Sequence, residues 1–252
     1  MRACVVPWIV CDLLLVATVA RAGSPDTGPW DSVLRGQVRD GGLDYAGAAA
    51  DRSDLDRFLA VLAAVEPARM NADEQLAFWI NAYNAVTVHF VLERYPELTS
   101  VREVSGFFDR QRFRVAGAER TLDEIEDAAR ALGDPRVHFA LVCASSSCPD
   151  LRAEAYVPER LEEQLEDQLQ VFLASPAKGL RYDEADNELH LSSIFKWYAG
   201  DFTGGSTLGA FFFRGGVLDW VKERVPGALA ARLEARAPAL VYLDYDWSLN
   251  DR

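Results

Sequence analysis

The chain has 252 residues and carries 26 Lys and Arg against 39 Asp and Glu, a formal charge of −13. A surface this acidic, with no basic cluster to offset it, repels phosphate backbones and anionic headgroups, so no nucleic-acid partner is expected. Half of the residues are hydrophobic, enough for a core, and the length fits one large domain or two small ones. One is favoured, because no linker breaks the pattern.

The first 22 residues have the features of a secretory signal peptide: Arg2 near the start, an apolar core cleanest from Leu13 to Ala20, and Ala20-Arg21-Ala22 as a small-x-small cleavage site. Pro7 and Asp12 interrupt the apolar run, which falls short of the roughly twenty residues a spanning helix needs. The expectation is export to a periplasmic or secreted location, with no stable membrane anchor after cleavage. Removing residues 1–22 leaves 24 basic and 38 acidic residues, a charge of −14, and takes away Cys4 and Cys11. Cys143 and Cys148 then face an oxidising compartment alone.

Residues 23–29 read as a flexible leader, and the domain is expected over residues 30–252. Leu55, Phe58, Leu59 and Leu62 have helical spacing. Asn71 with Glu74 three residues on forms a capping box that opens a long helix, stopped near Tyr95 by Pro96. That helix is apolar nearly all round, so it is expected to be central and buried, with Asn81 and Asn84 inside. Residues 107–121 read as one or two short strands about an Ala-Gly turn, and residues 121–132 as helix.

The apolar run from Val137 to Val142 reads as a buried strand, ended by the small polar loop that leads to Pro149. Leu161, Leu165, Leu169 and Phe172 mark an amphipathic helix, and a hairpin follows around residues 183–187, with His190 facing away from Leu189 and Leu191. Helix, Gly-Gly turn and helix come next, then a closing strand over residues 239–247. Helices separated by short strands without a regular βαβ rhythm predict an α+β fold: a central buried helix packed against short, mostly antiparallel strands and several amphipathic helices.

Chemistry is expected at the exit of the 137–142 run. Cys148 is a candidate nucleophile with His138 as its base and Asn81 as orienter, because a thiolate needs a nearby imidazole or cationic setting to form at neutral pH. If the run is a regular strand, His138 and Cys143 point to opposite faces, whereas Cys148 lies beyond it and is free to approach either. A Cys143–Cys148 disulfide competes with the nucleophile, and a redox-cycling pair fits less well at x4 spacing than at the x2 of thioredoxin-type motifs. Zinc held by His138, Cys143, Cys148 and a second histidine matches no standard spacing, so no metal is expected. No Gly-rich phosphate loop or other cofactor motif is present, so no cofactor is expected.

Asn84, Arg136, Ser145, Ser147, Trp197 and Tyr198 are candidate binding residues, with Glu126 and Asp201 as possible partners for Arg136. Each has a plainer reading: buried amides bond the backbone of nearby loops, and clustered aromatics pack as core. Two functions follow. One is a cysteine-type hydrolase or transferase, and the other a non-catalytic, disulfide-containing module whose cleft beside the loop from Ser145 to Cys148 takes a small molecule or a protein.

Several long stretches resemble the domain of unknown function 547 family: Phe78-Trp-Ile-Asn-Ala-Tyr-Asn-Ala85, Thr121-Leu-Asp-Glu-Ile-Glu126, Asp134-Pro-Arg-Val-His-Phe-Ala-Leu-Val-Cys-Ala-Ser145, Ser147-Cys-Pro149, Leu191-Ser-Ser-Ile-Phe-Lys-Trp-Tyr198 with Asp201-Phe202, and Tyr245-Asp-Trp-Ser-Leu-Asn250. The resemblance covers roughly Trp30 to the C-terminus and implies a domain extent, not an activity. In that family a histidine usually follows the Ile-Glu pair. Here Asp127 does.

Overall fold

The computed structural model describes residues 24–203 and 214–252. The expected signal peptide, with Cys4 and Cys11, lies outside the described residues, as does part of the expected helix–turn–helix, residues 204–213.

The chain folds as an α+β domain built around the helix that the capping box opens, α4 (Ala72–Leu92) in chain order. Asn71 accepts from Glu74 N–H while the Glu74 carboxylate accepts from Asn71 N–H, which satisfies two of the donors a helix start leaves free. From Leu76 to Leu92 only His89 is not buried. No polar stripe faces solvent, so other elements must surround this helix.

They do so from several sides. Helices α1 (Gly28–Gln37), α2 (Tyr45–Ala50) and α3 (Ser53–Ala64) form one wall, with the small hairpins β1 (Val38–Arg39) with β2 (Gly42–Leu43) and β3 (Phe113–Val115) with β4 (Ala118–Arg120) at its edges. Pro29 sits in the first turn of α1, where its missing N–H costs nothing, and ordered helix therefore starts inside the expected leader. Helix α5 (Leu122–Arg130), opened by a second capping box at Thr121, packs against α4. Beyond it α6 (Leu161–Leu173) buries the face carrying Leu161, Leu165, Leu169 and Phe172.

A second, smaller core gathers around the sheet formed by β5 (Leu180–Asp183), β6 (Glu188–Leu191) and β7 (Ala239–Tyr242). Strand β6 pairs antiparallel with β5 and parallel with β7, so one parallel ladder joins the antiparallel pairs that were expected. Leu189 and Leu191 turn inward and His190 outward. Short helices α7 (Ile194–Trp197) and α8 (Ala199–Phe202), then α9 (Arg214–Lys222) and α10 (Gly227–Ala235), complete this half. Among the described residues no helix is long and apolar enough to cross a membrane.

One expected element is absent. Residues 137–142 are buried but make no strand: Pro135–Phe139 is a 3-10 helix, opened by Asp134 accepting from Arg136 N–H (2.9 Å). The run is apolar because it is enclosed between α4, α5 and α6, and a short apolar run carries no period that separates strand from buried turn. Its backbone is satisfied by α4 instead of a sheet. Asn84 donates to Ala140 C=O (2.9 Å) and accepts from Val142 N–H (2.9 Å), while Asn81 does the same for both backbone groups of Tyr156 (2.7 and 3.0 Å).

Truncating Asn84 leaves a buried carbonyl and a buried N–H unpaired, so Asn84→Ala should lower unfolding free energy by ~2–4 kcal/mol. Urea denaturation measures it. A loss below ~1 kcal/mol, the net worth of an ordinary hydrogen bond, would mean that this amide does not hold the segment.

Candidate functional site

The seam between the two apolar clusters opens into a cavity of about 410 Å³. Its walls are aromatic: Tyr83 from α4, Phe108, Trp197 and Tyr198 from the end of α7, and Tyr245 and Trp247 from the segment after β7. Asp109, Asp123 and Glu126 line it too, as do His138, Cys143 and Cys148. Among the described residues neither Lys nor Arg lines it.

Glu126 is the least expected of these. In α5 the buried stripe runs Leu122, Ile125, Ala129, and Glu126 falls within that stripe at helical spacing, an acid where the pattern calls for an apolar side chain. Burial pushes its carboxyl above the ordinary range, although the Tyr198 hydroxyl donates to it and Arg130 lies close. Asp123, one turn earlier and more exposed, is also raised, by burial first and by Asp109 and Asp127 next. Burial likewise lifts the Tyr245 hydroxyl to about 12.

His138 stacks on the Tyr198 ring at 4.0 Å between centroids, and its Nε2 lies 2.7 Å from Asp201 Oδ2. Burial lowers this imidazole to about 4, an effect that Asp201 only partly opposes. Burial works against ionised Asp201 too, but the hydrogen bonds from Arg130 and His138 outweigh it and hold the carboxyl below its usual value. Arg130 grips Asp201 with two nitrogens (2.8 and 3.3 Å) and lies 4.9 Å from the Tyr198 ring centroid. With Nε2 engaged by a carboxylate, Nδ1 is the ring nitrogen left to accept a proton.

The cysteines sit in a loop that turns back on itself. Ala144 takes a left-handed conformation at φ 61°, and this reversal brings Cys143 and Cys148 to disulfide distance, with Cα atoms 6.2 Å apart, inside the range a bridge requires. Cys143 is half-buried and Cys148 only 2% exposed. A bridged sulfur is no thiolate, so the nucleophilic role offered for Cys148 requires the pair to be open.

The other candidates divide. Trp197 and Tyr198 line the cavity, whereas Asn81 and Asn84 hold the backbone segments described above and do not line it. The residue that orients His138 is Asp201, not Asn81. Arg136 pairs with Asp134 and Glu162, each at 2.7 Å, instead of Glu126 or Asp201. Ser145 contacts both sulfurs, at 3.3 Å to Cys143 and 3.2 Å to Cys148, and Ser147 exchanges hydrogen bonds with the Asp246 backbone. Ser147 thereby fastens the C-terminal segment that carries Tyr245 and Trp247. Asp127 is exposed, pairs with Arg130 at 3.0 Å and does not line the cavity. Among the described residues no three His, Cys, Asp or Glu side chains are placed to hold a metal ion.

Sequence reasoning had no role for Asp109, Asp123, Tyr83 or Phe108, and it named Glu126 only as an ion-pair partner. The acid in the apolar stripe of α5 was the available signal.

Fold and site together define an α+β protein with an acidic, aromatic-walled cavity between its two apolar clusters. Residues 67–173 match the family described as "Protein of unknown function, DUF547". No curated protein and no solved structure matches. The matched segment supplies Glu126, His138 and both cysteines, while Trp197, Tyr198, Asp201, Tyr245 and Trp247 come from beyond it.

Two pH effects follow. Glu126 binds its proton more tightly folded than unfolded, so its contribution to stability is present below the ordinary carboxylate range and is lost as pH rises above it. Glu126→Gln should therefore raise the melting temperature at pH 7 and change it little at pH 4; no gain at pH 7 would contradict the buried acid. For His138 the shift is opposite: the folded state binds the proton more weakly, so stability is full above about 6.5 and falls as pH drops towards about 4. Across that window the loss is about 3 kcal/mol. Between pH 7 and 4 the unfolding free energy of the protein should fall by about 3 kcal/mol more than that of His138→Asn.

Proposed function

We propose that this protein is exported and that its cavity binds a small organic molecule bearing a cationic group, such as a primary or quaternary amine. The observation that carries the reading is the lining: aromatic rings on several sides, three acidic residues and, among the described residues, neither Lys nor Arg. Ring faces and carboxylates both attract cations, and the attraction strengthens where water is excluded. A cavity of this size suits a ligand of modest dimensions. The export signal at the N-terminus supports an oxidising location, where the Cys143–Cys148 pair is a disulfide and forms part of the cavity wall.

A second reading, a cysteine-type hydrolase or transferase, is favoured by one observation: Cys148 and the Asp201-bonded His138 line the same cavity. It requires the sulfur pair to be reduced.

Choline and tetramethylammonium are suitable probes, read by quenching of tryptophan fluorescence, because Trp197 and Trp247 are in the wall. Binding is expected at pH 7, about tenfold weaker in Glu126→Gln, as for the loss of roughly 1.4 kcal/mol. Binding that is indifferent to Glu126→Gln and to acidification would refute a cation site. An activity that appears only after reduction, and vanishes in Cys148→Ser and His138→Asn alike, would favour the second reading.

A further inference from the structure

Three groups surround the sulfur of Cys148, and the mechanism of ligand binding uses none of them in that capacity. Cys143 N–H donates to it at 2.9 Å, the Ser145 hydroxyl lies 3.2 Å away, and the Tyr245 hydroxyl lies 3.4 Å away. The two hydroxyls lie as close to Cys143 Sγ, at 3.3 and 3.4 Å, so the backbone N–H is the donor that distinguishes Cys148; both sulfurs line the cavity, and Cys143 is the more exposed of the two. The backbone between them reverses at Ala144 in a conformation that an alanine rarely adopts.

We propose that the Cys143–Cys148 pair is a thiol–disulfide exchange site, in which Cys143 is the sulfur attacked by an incoming thiol and Cys148 is the leaving and resolving thiolate. Exchange is faster when the departing thiolate is stabilised and the attacked sulfur can be reached. Cys143 is the more accessible sulfur, and the Cys143 N–H is directed to Cys148 alone, with the Ser145 and Tyr245 hydroxyls within reach of whichever sulfur carries the charge. The incoming group is a small thiol, or a thiol on a flexible peptide, that enters the aromatic cavity in its neutral form and gives up its proton as it attacks.

The steps balance. A thiolate attacks Cys143 Sγ, a new S–S bond forms there, and the Cys143–Cys148 bond breaks with its electron pair leaving on Cys148 Sγ. The Cys143 N–H, Ser145 and Tyr245 donors hold that thiolate. A second thiol attacks the mixed disulfide at the incoming sulfur, releasing the oxidised small molecule and leaving two cysteine thiols, a net transfer of two electrons into the protein. In the reverse direction the Cys148 thiolate attacks a mixed disulfide on Cys143 and re-forms the bridge. The x4 spacing does not preclude this, since the stabilisation comes from donors folded around Cys148 and not from a helix start between the cysteines.

The proposal rests on the bridge being formed, as the functional reading holds, but is independent of any cationic ligand. The test uses the full chain with Cys4 and Cys11 replaced by Ser, and reduced glutathione as the probe. Native protein, its fold followed by circular dichroism, is expected to lose the bridge to glutathione without unfolding. Cys148→Ser should accumulate one glutathione adduct per chain on Cys143 when mixed with oxidised glutathione, and Cys143→Ser should give none on Cys148. Tyr245→Phe and Ser145→Ala should each slow reduction roughly fivefold, the factor a single hydrogen bond confers, with the fold unchanged. A bridge that resists glutathione until denaturant is added, or adducts favouring Cys148, would overturn the exchange site. Two free thiols in protein treated with mild oxidant would overturn both this proposal and the disulfide itself.

Discussion

A helix with no polar face has to be enclosed on every side, and in this protein much of the enclosure is irregular backbone. That imposes a condition: each N–H and C=O in the enclosing segments must find a partner away from water. Asn81 and Asn84 meet it, each offering one amide donor and one carbonyl acceptor to a single neighbouring segment. The site depends on the second of these. By fixing residues 140–142, Asn84 directs the loop that carries Cys143 and Cys148, and the serines of that loop fasten the residues bearing Tyr245 and Trp247. One buried amide thus connects the central helix to the far wall of the cavity.

The cavity is held together by interactions that also work against stability. Glu126 occupies a stripe that Leu or Ile would fill at lower cost, and His138 is kept neutral in a place where its unfolded counterpart readily takes a proton. Arg130 offsets part of this, because its bidentate grip on Asp201 keeps one carboxylate ionised beside the imidazole. The result is an acid biased towards its protonated form and an imidazole biased towards its neutral form, with the Tyr198 ring between them. Buried titratable groups with opposed tendencies collect at functional sites more often than in structural cores.

Much of the fold could be read from the sequence where local chemistry decides it. The capping box at Asn71, the apolar spacing of α6 and the alternation around His190 all carry their own period or partner. The segment from Val137 to Val142 carries neither, since its burial reflects what surrounds it and not how it repeats. Arg136 shows a related limit: Asp134, two residues away, is held near it by the same turn, and this local partner prevails over the distant Glu126 and Asp201. The site was legible in its cysteines, His138, Trp197 and Tyr198. What joined them was not, because the wall formed by Tyr245 and Trp247 is about a hundred residues from the loop that holds it, and no spacing rule spans that separation.

The departure at position 127 is best understood through Arg130. Asp127 does not touch the cavity, yet its carboxylate bonds the same guanidinium that grips Asp201, and Asp201 in turn orients His138. A chain of charges therefore runs from an exposed position to a buried imidazole, and the sign at its outer end matters. An anion at 127 shares the guanidinium with Asp201 and draws its positive charge outward, whereas a histidine in that place would leave more of the guanidinium to Asp201. Because Asp127 is exposed, solvent weakens this influence, and the pairing acts on His138 only through the position of Arg130. Asp127 thus bears on the Asp201–His138 pair from outside the cavity.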